Sequence, residues 1–201
     1  MSKLPILVSI PHGGRKVAPE IEQIWALSEK DAFHDGDPYT ASIYDFSDRV
    51  EAQLVMEYYR AVIDLNRRED DIAPTNPDGV VKSHTCYNVE VYKPDCLPGP
   101  DLQEVLLHRY YRPYHDNLDQ ALQQDNLKLG VDCHSMAAVS PPIESDAGTP
   151  RPLICLGNLG DAEGLVCKPF RRITSPPELV LFMRDEFRKV FQVLKRTVEN
   201  L

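Results

Sequence analysis

Apolar positions along this chain fall into two kinds of run. Continuous aliphatic and β-branched runs, cut off by polar residues, predict buried strands. They cover Leu4 to Ile10, Tyr59 to Leu65, Lys128 to Met136 and Pro152 to Leu156, with a strand-like piece from Tyr87 to Tyr92. Apolar residues spaced by three and four predict helices. A short helix is expected over Val17 to Leu27. A second runs from Asp37 to about Leu54, with Tyr39, Ile43, Phe46 and Val50 as its stripe. A third covers Asp101 to Gln124, with Leu102, Val105, Leu106, Tyr110, Leu118 and Leu122 facing inward. The last runs from Pro176 to about Val198 on Leu179, Phe182, Met183, Phe187, Val190, Phe191 and Leu194.

Boundary residues refine these elements. Asp37 followed by Pro38 reads as an N-cap with proline at the first helical position. Asp101 can cap the third helix. Pro113 inside it lacks an N–H and crowds the carbonyl one turn earlier, so a kink is expected. Residues 72–100 are dense in Pro, Gly, Asn and Asp, as site loops and lids often are. Buried strands alternating with helices imply an α/β protein: a three-layer α/β/α sandwich on a mixed, mainly parallel sheet. One domain, 1–201, is expected, with its site at the carboxyl edge of the sheet.

Composition narrows the class. The chain has 201 residues, 42% hydrophobic and 26% charged, and a net charge of −9. That acidity argues against nucleic acid and anionic membranes as partners, since both need clustered Lys and Arg. No apolar run approaches the ~20 residues of a membrane span. The first apolar run is too short for a signal peptide. Five cysteines (Cys86, Cys96, Cys133, Cys155, Cys167) are scattered, without the close pairs of a structural zinc site. A reducing cytoplasm fits them, and Cys133 and Cys155 lie in apolar runs as expected buried thiols.

Chemistry gathers at the predicted strand ends. His12 follows the first strand in Pro11-His12-Gly13-Gly14, and the paired glycines are expected to turn the chain sharply and leave room for a ligand. In Asp132-Cys133-His134 the outer residues point to one face of a strand. The carboxylate can hold one ring nitrogen while the other faces outward, as a metal-binding histidine requires. The pair could equally just close the strand. Asp35 and Asp37 are hard oxygen donors at a loop tip, with capping as the simpler role for Asp37. Arg67 can hold a carboxylate bidentately or pair with Glu69 or Asp71. His108, Arg112, His115 and Asp119 share a helix face that is either solvated or pocket-lining.

The strand-end motifs occur in a distinctive order: Ser-Ile-Pro-His-Gly-Gly, Asp-Gly-Asp-Pro-Tyr, Ile-Asp-Leu-Asn-Arg, Arg-Pro-Tyr-His, Asp-Cys-His-Ser-Met and Leu-Ile-Cys-Leu-Gly-Asn. Together, over residues 5 to about 192, they resemble the N-formylglutamate amidohydrolase family, which is related in fold to zinc carboxypeptidases and aspartoacylases. The resemblance implies a Zn²⁺ cofactor with His12 and His134 as ligands. Carboxypeptidases take an acid from a His-x-x-Glu motif, but Arg15 stands at that position here. The resemblance points to Asp37, which matches the aspartate that opens the second helix in amidohydrolase sequences, as the third ligand, with Asp35 as the alternative. Asp132 would hold His134. Arg67, with Asn66, would bind a substrate carboxylate or polarise the scissile carbonyl, and Arg112 and His115 would form a pocket wall. The implied activity is zinc-dependent hydrolysis of an N-formyl or N-acyl amino acid, on a small carboxylate-bearing substrate. A homo-oligomer is compatible with this reading. The family's general-base glutamate follows an Asn-x-Pro-Phe-x-Gly-Gly segment that this sequence does not show. Glu144 and Glu90 are the candidate replacements, and the alternative is a protein that binds metal or carboxylate without efficient turnover.

Overall fold

The computed structural model describes residues 2–199, and side chains as far as residue 192. Strand β1 (Leu4–Ile10) is the middle of a parallel three-stranded sheet ordered β2-β1-β3, with β2 over Val50–Val55 and β3 over Leu129–Asp132. Its central place explains its continuous apolar run, because both edges are hydrogen-bonded and its carboxyl half is buried. Ser9 lies opposite Leu54 on one side and Asp132 on the other, so the carboxyl ends of β1 and β3 are level. The protein is thus mixed α/β with a small parallel sheet. Helices α1 (Glu29–Asp35) and α2 (Thr40–Ile43) lie between β1 and β2. Helices α3 (Pro100–Leu106) and α4 (Arg112–Leu122) lie between β2 and β3, and α5 (Pro177–Glu199) follows.

Several expected elements take other forms. The helix expected from Asp37 to Leu54 is α2 followed by β2. The stripe of Phe46 and Val50 also satisfies a strand starting at Val50, and pairing with β1 decides the matter. Tyr59 to Leu65 is as buried as a strand should be but has no ladder; a turn closes from Val62 N to Tyr59 O at 2.9 Å. Val17 to Leu27 forms successive turns rather than a helix, because Ala26 N donates to Val91 O at 3.0 Å and Trp25 bridges Tyr92. Tyr87 to Tyr92 contributes only isolated bridges. Residues 152–156 are irregular and Cys155 is exposed, whereas Cys133 is buried; all five cysteines are free. Helix α1 was not expected. It is capped by Ser28, whose Oγ accepts from Asp31 N at 3.1 Å.

The long third helix is present with two changes. Its N-cap is Gly99, not Asp101, which sits in the first turn. The consequence of Pro113 is a wide π turn over Leu107–Tyr111 that joins α3 to α4. The turn makes room for the proline ring one turn later. No described helix is long and apolar enough to cross a membrane.

Two compact units divide the chain, Met1–Arg151 and Pro152–Leu201. In the first, the main core joins Ile21, Ala32, Val62, Ile63, Val80, Val91 and Leu106. A smaller cluster of Val8, Ile10, Val50 and Cys133 packs at the sheet. Much of this core comes from segments without regular structure, so side-chain burial and ion pairs hold them. In the second unit α5 half-buries Leu179, Met183 and Phe191, while Phe182, Phe187 and Val190 are exposed. Leu194, expected on the same stripe, lies outside the described side chains.

The paired glycines serve the backbone rather than a ligand. A Cβ at Gly14 would stand 2.3 Å from the Glu57 carbonyl carbon, and Arg15 N and Lys16 N both donate to Glu57 O. Gly14→Ala is therefore expected to lower stability by about 1–3 kcal/mol in urea denaturation. Gly157→Ala, with nothing within 4 Å, should change it by less than about 0.5 kcal/mol.

Candidate metal centre

Three segments meet at the carboxyl edge of the sheet. The first is the turn after β1, which buries His12 to 3% exposure. The second is the connection between α1 and α2, tied to that turn by Asp37 N donating to His12 O at 3.2 Å. It continues through Tyr39, whose backbone is left-handed at φ 63° and opens α2. Asp37 therefore does not cap a helix with its side chain, contrary to expectation. Its carbonyl accepts from Thr40 Oγ1 at 2.8 Å, while its carboxylate turns to the histidines. The third segment is the end of β3, which carries Asp132 beside Ser9 and then His134.

His12, Asp37 and His134 place one ligand atom each within 4.8 Å of one another. The two rings are 5.1 Å apart. Asp37 Oδ2 lies 2.7 Å from His134 Nδ1 and 3.7 Å from His12 Nδ1. That His12 nitrogen is buried and has no hydrogen-bond partner. Each remaining ring nitrogen faces a carboxylate: His12 Nε2 is 2.9 Å from Asp64 Oδ1, and His134 Nε2 is 3.0 Å from Asp132 Oδ2. Asp132 in turn accepts from Ser9 Oγ at 2.6 Å, and Ser9 is 2.9 Å from the Tyr114 hydroxyl. The Asn66 amide lies against the same edge, with Nδ2 2.9 Å from His134 Nε2.

The charges are consistent with a cation site. Burial opposes ionisation of Asp37, yet the facing imidazoles of His12 and His134 hold its pKa at about 2. Burial also opposes charge on His134, but the Asp132 and Asp37 carboxylates outweigh it and raise its pKa to about 9. A metal ion held between His134 and Asp37 would supply the positive charge that these carboxylates favour. Two imidazoles and one carboxylate form a donor set suited to zinc, and the unpartnered His12 Nδ1 is aimed at it. Tetrahedral bonds of about 2.1 Å place ligands about 3.4 Å apart, a spacing between the 2.7 Å His134–Asp37 and 3.7 Å His12–Asp37 separations.

The cluster forms one wall of a cavity of about 650 Å³ that also exposes Arg60, Asn66, Arg67 and Arg151. Arg67 pairs with neither Glu69 nor Asp71. Its Nε donates to Asp78 O at 2.9 Å and its Nη2 to Asp78 Oδ2 at 2.5 Å. Arg60 Nε donates to Asp64 Oδ2 at 2.8 Å. Arg112 and His115 are not on this wall. Arg112 bridges Glu69 and Glu104 at the surface, and His115 Nε2 lies 3.2 Å from Leu65 O. Asp35 lines the cavity but accepts from Cys86 N at 2.7 Å and faces Lys82, outside the ligand cluster. Glu144 and Glu90 are exposed and off the cavity wall. Sequence reasoning missed Arg60, Asp64, Lys82 and Arg151. The available signal was Asp64 itself, a charge inside an apolar run that demands buried partners.

Residues 4–195 match the family model described as N-formylglutamate amidohydrolase. The match covers almost the whole chain and places it in a family of hydrolases: the chain belongs to the N-formylglutamate amidohydrolases. It is 29% identical over 174 residues to an N-formylglutamate deformylase of Pseudomonas putida, aligning 83% of this chain with 62% of that protein. It is 27% identical over 174 residues to the deformylase of Pseudomonas aeruginosa, aligning 83% with 63%. The chain therefore spans less than two thirds of these relatives' length. A solved N-formylglutamate amidohydrolase from Ralstonia eutropha JMP134 shares the fold at TM-score 0.57 and 23% identity, over 68% of this chain and 54% of that one. A gene product of Agrobacterium tumefaciens does so at TM-score 0.56 and 16% identity, over the same 68% and 54%.

Two thiols near the site are held protonated. Burial, then the nearby Asp35 carboxylate, pushes Cys86 up to about 12, and burial beside Asp132 pushes Cys133 up to about 11. Thiolate forms only as pH rises toward those values, so at pH 8 roughly 10⁻³ or less of either is reactive. Iodoacetamide at pH 8 should label exposed Cys155 first and leave Cys86 and Cys133 intact until the protein is denatured, as read by peptide mass spectrometry.

Proposed function

We propose that this protein hydrolyses the amide bond of an N-formyl amino acid, with N-formylglutamate as the model substrate, at a zinc ion held by His12, Asp37 and His134. The observation that carries the reading is the unpartnered, buried His12 Nδ1 facing Asp37 beside His134. Zinc bound there would supply Lewis-acid polarisation of an amide carbonyl and acidify a water molecule. The protein's own groups do the positioning. Asp64 and Asp132 fix the tautomers of the two histidines, so both Nδ1 atoms face Asp37. Arg67, braced by Asp78 through Nε and Nη2, presents the rest of its guanidinium to the cavity for a substrate carboxylate. Arg60 and Arg151 on the same cavity add positive potential, which suits a dicarboxylate such as N-formylglutamate. The net reaction adds water across the formamide C–N bond and releases formate and the amino acid. The three-layer sandwich and a cytoplasmic location belong to the same proposal.

A second reading is a metal or carboxylate binder with little turnover. It is favoured by the cavity wall, on which no glutamate lies among the described residues. A general base contributes ~10²–10⁴-fold to rate.

Purified protein should hold about one zinc per chain by elemental analysis, and chelation should remove both zinc and formate release from N-formyl-L-glutamate. His134→Ala should reduce zinc to background. Arg67→Ala should raise KM by ~10–10²-fold with zinc content unchanged. Zinc or glutamate binding without formate release would establish the second reading; absence of zinc binding would overturn the first, and absence of both zinc and glutamate binding would overturn both.

A further inference from the structure

The metal cluster and the cavity arginines are joined underneath by one fully buried cation. Lys82 has no exposed surface, and its Nζ meets three carboxylates: Asp78 Oδ1 in a short contact, Asp35 Oδ2 at 3.4 Å and Asp64 Oδ2 at 3.6 Å. Two of these carboxylates divide their oxygens in the same way. Asp64 gives Oδ1 to His12 and shares Oδ2 between Arg60 and Lys82. Asp78 gives Oδ1 to Lys82 and Oδ2 to Arg67. One ammonium thus faces the carboxylates that hold a candidate zinc ligand and two cavity arginines.

Stability alone is a weak account of this arrangement. Taking a lysine and three aspartates out of water is costly, and apolar replacement of a whole buried ion cluster is often neutral or stabilising. What an apolar side chain cannot do is fix the direction of a carboxylate. Nor can Lys82 reach a substrate, since it does not line the cavity.

We propose that Lys82 is a positioning residue: through Asp64 it orients His12 toward the metal, and through Asp78 it sets Arg67 for the substrate carboxylate. This deepens the amidohydrolase reading and rests on it for the identity of the two ligands.

Lys82→Met alone leaves three buried carboxylates facing two arginines and risks misfolding. Lys82→Met with Asp35→Asn restores two against two, and the new amide still offers an oxygen to Cys86 N. This double variant is compared with Asp35→Asn alone, so the difference belongs to the lysine. Two equilibrium measurements are read on the full chain, with circular dichroism confirming folding. One is zinc affinity by chelator competition, and the other is affinity for glutarate, a dicarboxylate without an amide, by calorimetry. The expected result is a loss of about 10-fold or more in each, the scale of removing support from behind a ligand. A folded double variant within about 2-fold of Asp35→Asn in both would overturn the proposal, and so would a loss confined to one ligand. If the unsubstituted protein binds glutarate but no zinc, the amidohydrolase reading fails and glutarate alone decides the role of Lys82. If it binds neither, both fall.

Discussion

A negative charge beyond the reach of water must be met by positive or hydrogen-donating groups on every side, and Asp64 is that charge here. Its side chain has no exposed surface. His12, Arg60 and Lys82 surround it from three separate segments, and their proximity holds its carboxyl well below the usual carboxylate range despite burial. The backbone is tied at the same place, since Asp64 N donates to Val80 O at 2.8 Å. Removing one partner from such a group typically costs ~3–5 kcal/mol. The segments around Asp64 have no ladder of their own, so this constraint does for them what strand pairing does for β1.

The site grows outward from that charge. His12 is pinned from behind, which leaves Nδ1 turned to Asp37. The level parallel register of β1 and β3 then carries Asp132 and His134 to the same edge. Two carboxylates behind two imidazoles, with a third between them, form a pocket that favours positive charge. The arginines begin just beyond it. Favouring a cation at one end and an anion at the other is what a substrate with a carboxylate and a polarisable carbonyl would require.

What was legible in the sequence were features decided locally. β1, the helix interrupted by the π turn and α5 each follow from their own residues. His12 and His134 stood out as candidates because strand ends advertise polar chemistry, whereas Asp37 came forward from the family resemblance against a strong competing role as a helix cap. β2 was hidden because Val50 fits a helical stripe as well as a strand, and only β1 as neighbour resolves it. Tyr59 to Leu65 was read correctly as buried and wrongly as paired. Lys82 and Asp64 were invisible as a pair because 18 positions separate them, and the contact of Asp64 with His12 spans 52, although each also has a partner four residues away. Arg112 misled for the opposite reason: its spacing suggested a pocket wall, while two nearby glutamates hold it at the surface.

The π turn at Leu107–Tyr111 has an effect beyond relieving the proline. One surplus residue in a turn advances everything after it by about 100° around the axis. α4 is therefore rotated out of phase with α3, and three tyrosines within five positions address three different places. The Tyr110 hydroxyl reaches Glu20, that of Tyr111 reaches the Arg67 carbonyl, and that of Tyr114 reaches Ser9 behind Asp132. A straight helix would give residues three or four apart a common face. The phase slip lets one short segment brace the arginine and the histidine ends of the cavity together, so their separation is set by the angular step of a single turn.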